Sequence, residues 1–376
     1  MDARKMLSLA DPVLGEQEKQ ALCGVIDSGW LTMGERVEAF EKAFAGLHRV
    51  SDAVVVNSCT AALHLCLKAL DIGPGDEVLA PALTFVATVN AIVYTGAAPV
   101  FVDIEDIRIP HISICDAEAK CTPRTKAVIV MHYGGYPVDL PAWRAFADAR
   151  GLRLIEDAAH APAVGEVGRV GDAAAFSFFT NKNLCTAEGG MVLAREDALL
   201  QRIRRNRSHG MTSLTLERYR GHAFSYDVTD LGYNYRMDEL RAAIGLVQLE
   251  RLPQWNRRRR ELGELYRDLL AAQLPEIVVP FSRGWETAAH LMPVLLPEES
   301  DREAVMSRLR KNSIQSSLHY PPVHLFSYYR ERFGNCSLEK TELFSARELT
   351  LPLHPGLRET DVHRVVDTLG NALDGG

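Results

Sequence analysis

The chain reads as an α/β protein: a large domain on a mainly parallel sheet with helices on both faces, then a smaller α+β domain. Three observations predict it. Short apolar, β-rich runs at 53–57, 77–81, 98–104, 127–133, 153–157, 173–179 and 190–194 are spaced along the first half. Helical patterns at 61–70, 85–94 and 141–150 fall between several of them, and strand–helix alternation at this spacing implies parallel pairing. After about residue 236 the character changes: long helices at 237–251 and 256–272, possible strands near 290–296 and 313–319, and a final helix near 359–373. Residues 1–250, with an N-terminal arm, are therefore expected to form the large domain and 251–376 the small one.

Composition narrows the class. The 376 residues are 47% hydrophobic and 24% charged, enough to fill real cores, and the formal charge of −7 argues against a nucleic-acid surface. Seven cysteines at irregular spacing, with no C-x-x-C pair, argue against a disulfide framework or zinc site and favour the reducing cytoplasm. No metal site is expected. The first residues lack the apolar core and cleavage pattern of a secretory signal. Residues 78–102 carry no charge and are long enough for a bilayer, but Pro81, Gly96 and Pro99 divide them into strand, helix and strand. The Arg257–Arg260 run, followed by Glu261 and Glu264, reads as a solvated helix surface.

In a parallel α/β sheet, ligands bind beyond the carboxyl ends of the strands, and three strand ends carry candidate chemistry. Val54-Val55-Val56 runs into Asn57-Ser58-Cys59-Thr60 and directly into a helix. Small side chains there let an anion approach the free amides of the helix start, although an ordinary N-cap has the same composition. Leu154-Ile155-Glu156-Asp157 ends in two carboxylates with His160 close behind, a pair that could hold a protonated nitrogen or simply finish a strand. Lys182 lies between the apolar Phe176–Phe179 segment and Glu188-Gly189-Gly190. Apolar neighbours lower a lysine's pKa toward what carbonyl chemistry needs, but most lysines are surface groups. No G-x-G-x-x-G follows a strand and no G-x-x-x-x-G-K-[ST] is present, which counts against a nicotinamide dehydrogenase or a P-loop protein. Gly165, Gly168 and Gly171 read as turns.

Together the three ends match pyridoxal 5'-phosphate catalysis, which needs a lysine to carry the cofactor, an acid for its ring nitrogen, a phosphate cradle and a flat group on the ring. Phe85 is the candidate stacking residue.

These residues resemble the fold-type-I, pyridoxal-phosphate-dependent sugar aminotransferases of the DegT type, and the likeness runs through nearly the whole chain. It is carried by Ser28-Gly29-Trp30-Leu31-Thr32 with Gly34, by Asn57–Leu63, by Thr84-Phe85-Val86-Ala87-Thr88 and by Glu156-Asp157-Ala158-Ala159-His160. It continues through Ser177–Gly190, Gly232-Tyr233-Asn234-Tyr235-Arg236-Met237, His319-Tyr320-Pro321-Pro322-Val323-His324 and Leu351-Pro352-Leu353. The resemblance implies that Lys182 bears the cofactor, that Asp157 contacts the pyridinium, and that His160 sits beside the ring oxygen. It implies Cys59, Thr60, Ala61 and Ser177 around the phosphate, with Asn234 and Arg236 reaching a neighbouring subunit's site, so that a homodimer is the working unit. Trp30, Thr32, Tyr320 and His324 are the candidates for the substrate side.

Two features depart from the family pattern. Thr180-Asn181 stand where a proline and a small hydroxyl residue are frequent, and Phe85 stands where some members have tryptophan or tyrosine. Lys182 argues against the dehydrating branch, which has histidine at that position. The implied reaction moves an amino group, by resemblance from L-glutamate, to a keto group of a nucleotide-linked sugar. The same chemistry on a cyclic polyol ketone or an amino-aromatic precursor is the alternative, and a pyridoxal-phosphate-binding regulator without turnover is a third. Arg218, Arg220 and Arg236 are candidates for the donor carboxylate, and the 212–226 loop for substrate shape.

Overall fold

The computed structural model describes residues 6–212 and 225–374. Helices α1 (Glu16–Ser28) and α2 (Glu35–His48) precede β1 (Val54–Val56), from which α3 (Cys59–Ala69) leads to β2 (Glu77–Pro81), α4 (Val86–Tyr94) and β3 (Ala98–Val102). A small hairpin, β4 (Ile104–Asp106) and β5 (Ile109–Ile112), and α5 (Ile114–Lys120) come before β6 (Thr125–Met131), α6 (Leu140–Arg150) and β7 (Arg153–Asp157). Strands β8 (Ala173–Ser177) and β9 (Gly190–Ala194) and helix α7 (Asp197–Asn206) follow.

The seven-stranded sheet has the order β1-β9-β8-β7-β6-β2-β3. Its pairs from β8 through β7, β6 and β2 to β3 are parallel, and only β9 runs against its neighbours. Both faces are covered. Phe40, Phe44, Trp143, Phe176 and Phe178 fill one side, while Leu63, Leu65, Leu67, Val89 and Ile92 fill the other. Helix α3 is buried over nearly its whole surface, so it is apolar all round rather than striped. Each of its leucines contributes about 1.5–3 kcal/mol by leaving water. The uncharged 78–102 segment is β2, α4 and β3, and among the described residues no helix is long and apolar enough to cross a membrane.

The second half differs from the sequence expectation in three places. Segments 237–251 and 256–272 are one helix, α8 (Glu239–Gln273), with Pro253 inside it. An internal proline costs about 3 kcal/mol in isolation. Here Pro253 lies on the exposed side, while Leu249, Leu252 and Asn256 are buried around it, so packing outweighs the local penalty. The boundary expected near residue 250 falls inside this helix. Ala242, Leu249 and Leu252 join the core of α2, and Leu262, Tyr266 and Leu270 join the core of the last helix.

The Arg257–Arg260 run is not a solvated face throughout. Arg259 is 2% exposed and donates to the Leu353 carbonyl at 2.7 Å, and burial lowers its guanidinium to about 9. Segment 313–319 forms isolated bridges, not a strand: Ser313 adopts a left-handed φ of 58°, and the His319 N–H donates to the Glu348 side chain instead of a ladder. The remaining elements are β10 (Met292–Leu295), α9 (Arg302–Lys311), α10 (Ser327–Phe333), α11 (Glu339–Arg347), β11 (Glu348–Leu351) and α12 (Glu359–Asp374), with β10 and β11 antiparallel.

Candidate active site

Asp157 closes β7 and Ser177 closes β8. In register, Asp157 stands between Met131 of β6 and Ala175 of β8, so three carboxyl ends share one edge. Alternation along β7 sends Glu156 and Asp157 to opposite faces. Glu156 is wholly internal: it accepts from the N–H groups of Gly168 at 2.9 Å and Gly171 at 2.7 Å, and from His132 Nε2 at 3.0 Å. Two of the three glycines that read as turns thus also feed a buried carboxylate, and a Cβ on Gly171 would stand 3.0 Å from the Glu156 side chain.

Asp157 faces the other way. Its Oδ2 accepts from Thr88 Oγ1 at 2.6 Å and its Oδ1 from the Ala159 N–H at 3.1 Å. Thr88 has one hydroxyl proton and gives it to Asp157, so the 2.7 Å contact with Thr84 is a donation from Thr84. Burial raises the Asp157 pKa, against the pull of Thr88, the Ala159 N–H and Lys182.

Lys182 lies between β8 and β9, half-buried, and burial lowers its ammonium to about 8 although Asp157 and Cys59 pull it upward. Its Nζ is 3.5 Å from His290 Nε2. Sequence reasoning missed His290: the apolar stretch around it reads as an ordinary strand, and no local pattern marks the ring.

His160 is buried and stays neutral, its pKa held well below the usual range by desolvation. Its Nδ1 accepts from the Gly134 N–H at 3.3 Å, so its proton is on Nε2 and is donated to Tyr320 Oη at 3.0 Å. Tyr320 keeps its own proton for a further acceptor. Phe85, at the start of α4, is 56% exposed and lies 5.9 Å from the Tyr320 ring at an interplanar angle of 50°. At that exposure Phe85 is not part of this chain's core.

At the start of α3, Ser58 caps the helix by accepting from the Ala61 N–H at 3.1 Å. The Cys59 and Thr60 amides belong to the first turn and have no partner within the helix. Gly190 comes so close that a Cβ would stand 2.7 Å from the Cys59 nitrogen, which ties β9 to this turn. Ser177 pairs with Gly190 and is buried beside it. Burial holds the Cys59 thiol well above its usual pKa, so it is not an anionic competitor. The 233–236 segment runs past the same turn: the Asn57 N–H donates to the Tyr235 carbonyl at 2.9 Å, and Tyr235 Oη is 3.1 Å from His64 Nδ1. Asn234 is exposed there and Arg236 is half-buried.

Of the substrate-side candidates, only Tyr320 joins the cluster around His160. Trp30 and Thr32 occupy the turn between α1 and α2. Glu239 anchors that turn, accepting from the N–H groups of Gly34, Arg36 and Val37 at 2.9 Å each. His324 is buried against Phe101 and sits 3.2 Å from Glu342, while Tyr320 joins the His160 cluster. Arg218 and Arg220 lie outside the described residues.

The family model for DegT/DnrJ/EryC1/StrS aminotransferases matches residues 12–370. The chain belongs to that family. This aminotransferase is similar to the spore coat polysaccharide biosynthesis protein SpsC of Bacillus subtilis (strain 168), 39% identical over 97% of this chain and 96% of SpsC. Among solved structures it is similar to the aminotransferase TlmJ of Streptoalloteichus hindustanus, with 36% identity, a TM-score of 0.90, and coverage of 98% of this chain and 99% of TlmJ. It is also similar to DesI, whose structure was determined in the presence of its TDP-sugar product, with 32% identity, a TM-score of 0.88, and coverage of 100% and 94%. The aminotransferase has the fold-type-I architecture of these neighbours.

Proposed function

We propose that this aminotransferase carries pyridoxal 5'-phosphate on Lys182 and moves an amino group from L-glutamate to a keto group of a nucleotide-linked sugar. The observation that carries the reading is one sheet edge holding an amine lowered to about 8, a buried carboxylate, and the amides of a helix start.

The residues fit the cofactor. Asp157 is raised by burial with only partial relief, the state that a cationic ring nitrogen would correct. The Cys59 and Thr60 amides, with Ala61 and Ser177 beside them, suit a phosphate at the positive end of α3. A bulkier residue at Gly190 would displace that turn. When bound, the cofactor supplies an electron sink for loss of the substrate's α-proton. The chain does the rest. Asp157 would keep the ring nitrogen protonated, Phe85 would offer a flat face for the ring, and His160 with Tyr320 would supply imidazole and hydroxyl groups to its polar substituents. As a free amine Lys182 would move the proton as general acid and base; a value near 8 would leave it able to do either at neutral pH.

The homodimer belongs to the same reading: exposed Asn234, with Arg236, reaches the phosphate region of a second subunit. The likeness to DesI supports a nucleotide-linked acceptor. Trp30, Thr32, Tyr320 and His324 are proposed on the substrate side, with residues 1–250 holding the cofactor and 251–376 closing over it. Seven unpaired cysteines support a cytoplasmic setting.

The test is to supply the loaded enzyme with L-glutamate, measure oxoglutarate, then compare amination of keto-sugar nucleotides with that of cyclic ketones lacking a nucleotide. Oxoglutarate with preferential turnover of the nucleotide substrates supports the reading. Turnover of the ring ketones alone overturns the substrate class, and no oxoglutarate overturns the donor.

A further inference from the structure

The contact behind Lys182 has a determined protonation pattern. The Pro162 carbonyl can only accept, so the Asn256 amide that reaches it at 3.0 Å presents its NH2 group there and its Oδ1 to the other side. That oxygen accepts from Asn183 Nδ2 at 2.9 Å, and the same Asn183 nitrogen donates to the Ala288 carbonyl at 2.8 Å. Both amide hydrogens of Asn183 are thereby engaged, and its Oδ1 faces His290 Nδ1 at 2.9 Å. An amide oxygen has no hydrogen to give, so His290 Nδ1 carries the ring proton. The lone pair of the neutral imidazole is then on Nε2, which faces Lys182 Nζ at 3.5 Å. Asn183, Asn256 and His290 are all at least 95% buried, so water does not compete for this chain. Two backbone carbonyls on different segments anchor it. The proton cannot move to Nε2 without leaving Asn183 Oδ1 unsatisfied inside the protein.

We infer that His290 is a positioning residue for Lys182: whenever that amine is not bonded to the cofactor, the Nε2 lone pair accepts a hydrogen bond from it and holds it at the strand ends. The ring remains neutral in this role, because burial and the neighbouring His160 and Lys182 keep its pKa well below the usual histidine range. It is an acceptor for the amine, not a base that removes its proton. The inference rests on the reading of Lys182 as the cofactor-bearing lysine, and it explains how a released side chain on a loop is kept within reach.

The test uses the full chain freed of cofactor. Long-range 1H–15N correlation on histidine-labelled protein is expected to show His290 protonated at Nδ1 and bare at Nε2; a bare Nδ1 overturns the inference. The pH midpoint of Lys182 modification by an amine-reactive reagent, read by peptide mass spectrometry, gives the second readout. The groups facing Lys182 are Asp157, Cys59, His160, His290 and His319, and only His290 is changed. In His290→Met the ammonium loses an acceptor and the midpoint is expected to fall by about one pH unit. In His290→Gln, whose Oε1 can stand where Nε2 stood, it is expected to return close to the wild-type value. Equal shifts in the two variants overturn the inference. Neither readout requires transamination, so failure of the functional reading and failure of this one are distinguishable.

Discussion

Thr88 Oγ1 donates to Asp157 Oδ2 at 2.6 Å, linking the helix that follows β2 to the carboxylate that ends β7. Helix α4 follows the exposed Phe85, so one short segment carries both the residue proposed to stack on the cofactor and the donor to the carboxylate proposed to meet its ring nitrogen.

Thr88→Val keeps the side chain's shape and removes the donor. Asp157 would rise further, and its hold on a pyridinium would weaken. Hydrogen bonds to charged groups contribute about 1.5–3 kcal/mol, so cofactor affinity is expected to fall by about ten- to a hundredfold. Fluorescence titration of the apoprotein with pyridoxal phosphate measures this, and unchanged affinity would remove Thr88 from the account.

Lys182→Met tests the cost of the buried amine in the cofactor-free protein. The folded-state pKa, about 8, lies below the ordinary value of 10.5, so between these values the unfolded chain binds more protons and stability rises with pH. Below pH 8 the penalty is fully present; above 10.5 it is gone. The variant is therefore expected to be more stable than wild type at pH 7, by about 3 kcal/mol, with the difference shrinking toward pH 10.5. Urea unfolding of both proteins at the two pH values checks the sign.

Glu239→Ala removes the acceptor of three backbone N–H groups at the start of α2. With unsatisfied donors costing about 1–3 kcal/mol each, partly offset by water entering the site, a loss of about 2–4 kcal/mol is expected. Chemical denaturation reads it directly, and a change below 0.5 kcal/mol (about the ordinary surface level) would show that the turn is held by other contacts.

Tyr320→Phe takes away the acceptor of His160 Nε2–H. A destabilisation of about 1–2 kcal/mol is expected, together with a changed His160 signal in nitrogen-detected NMR. A His160 signal identical to wild type would mean that the ring proton has another partner.

Much of this was readable in the chain. The strand ends bearing Asp157 and Lys182 are marked by apolar runs that stop at polar residues, and the α3 start by its small side chains. Those are local signals. His290 and Asn256 carry none, because they reach Lys182 and its neighbour Asn183 from distant segments. Arg259 shows the same limit from the other side: helical periodicity in an arginine run does not reveal that Leu353 and the small domain cover one face. The two helical segments expected at 237–251 and 256–272 are one helix, running on through Pro253 because tertiary packing outweighs the local penalty. Glu156 and Asp157 are neighbours in sequence with opposite surroundings, and only the sheet's alternation separates the internal carboxylate from the one proposed to meet the cofactor.

The central claim is that Lys182 carries the cofactor. Borohydride reduction of the enzyme loaded with pyridoxal phosphate, followed by peptide mapping, tests it most directly. The account predicts a single stable adduct on the peptide containing Lys182; an adduct on any other lysine, or none, would contradict it.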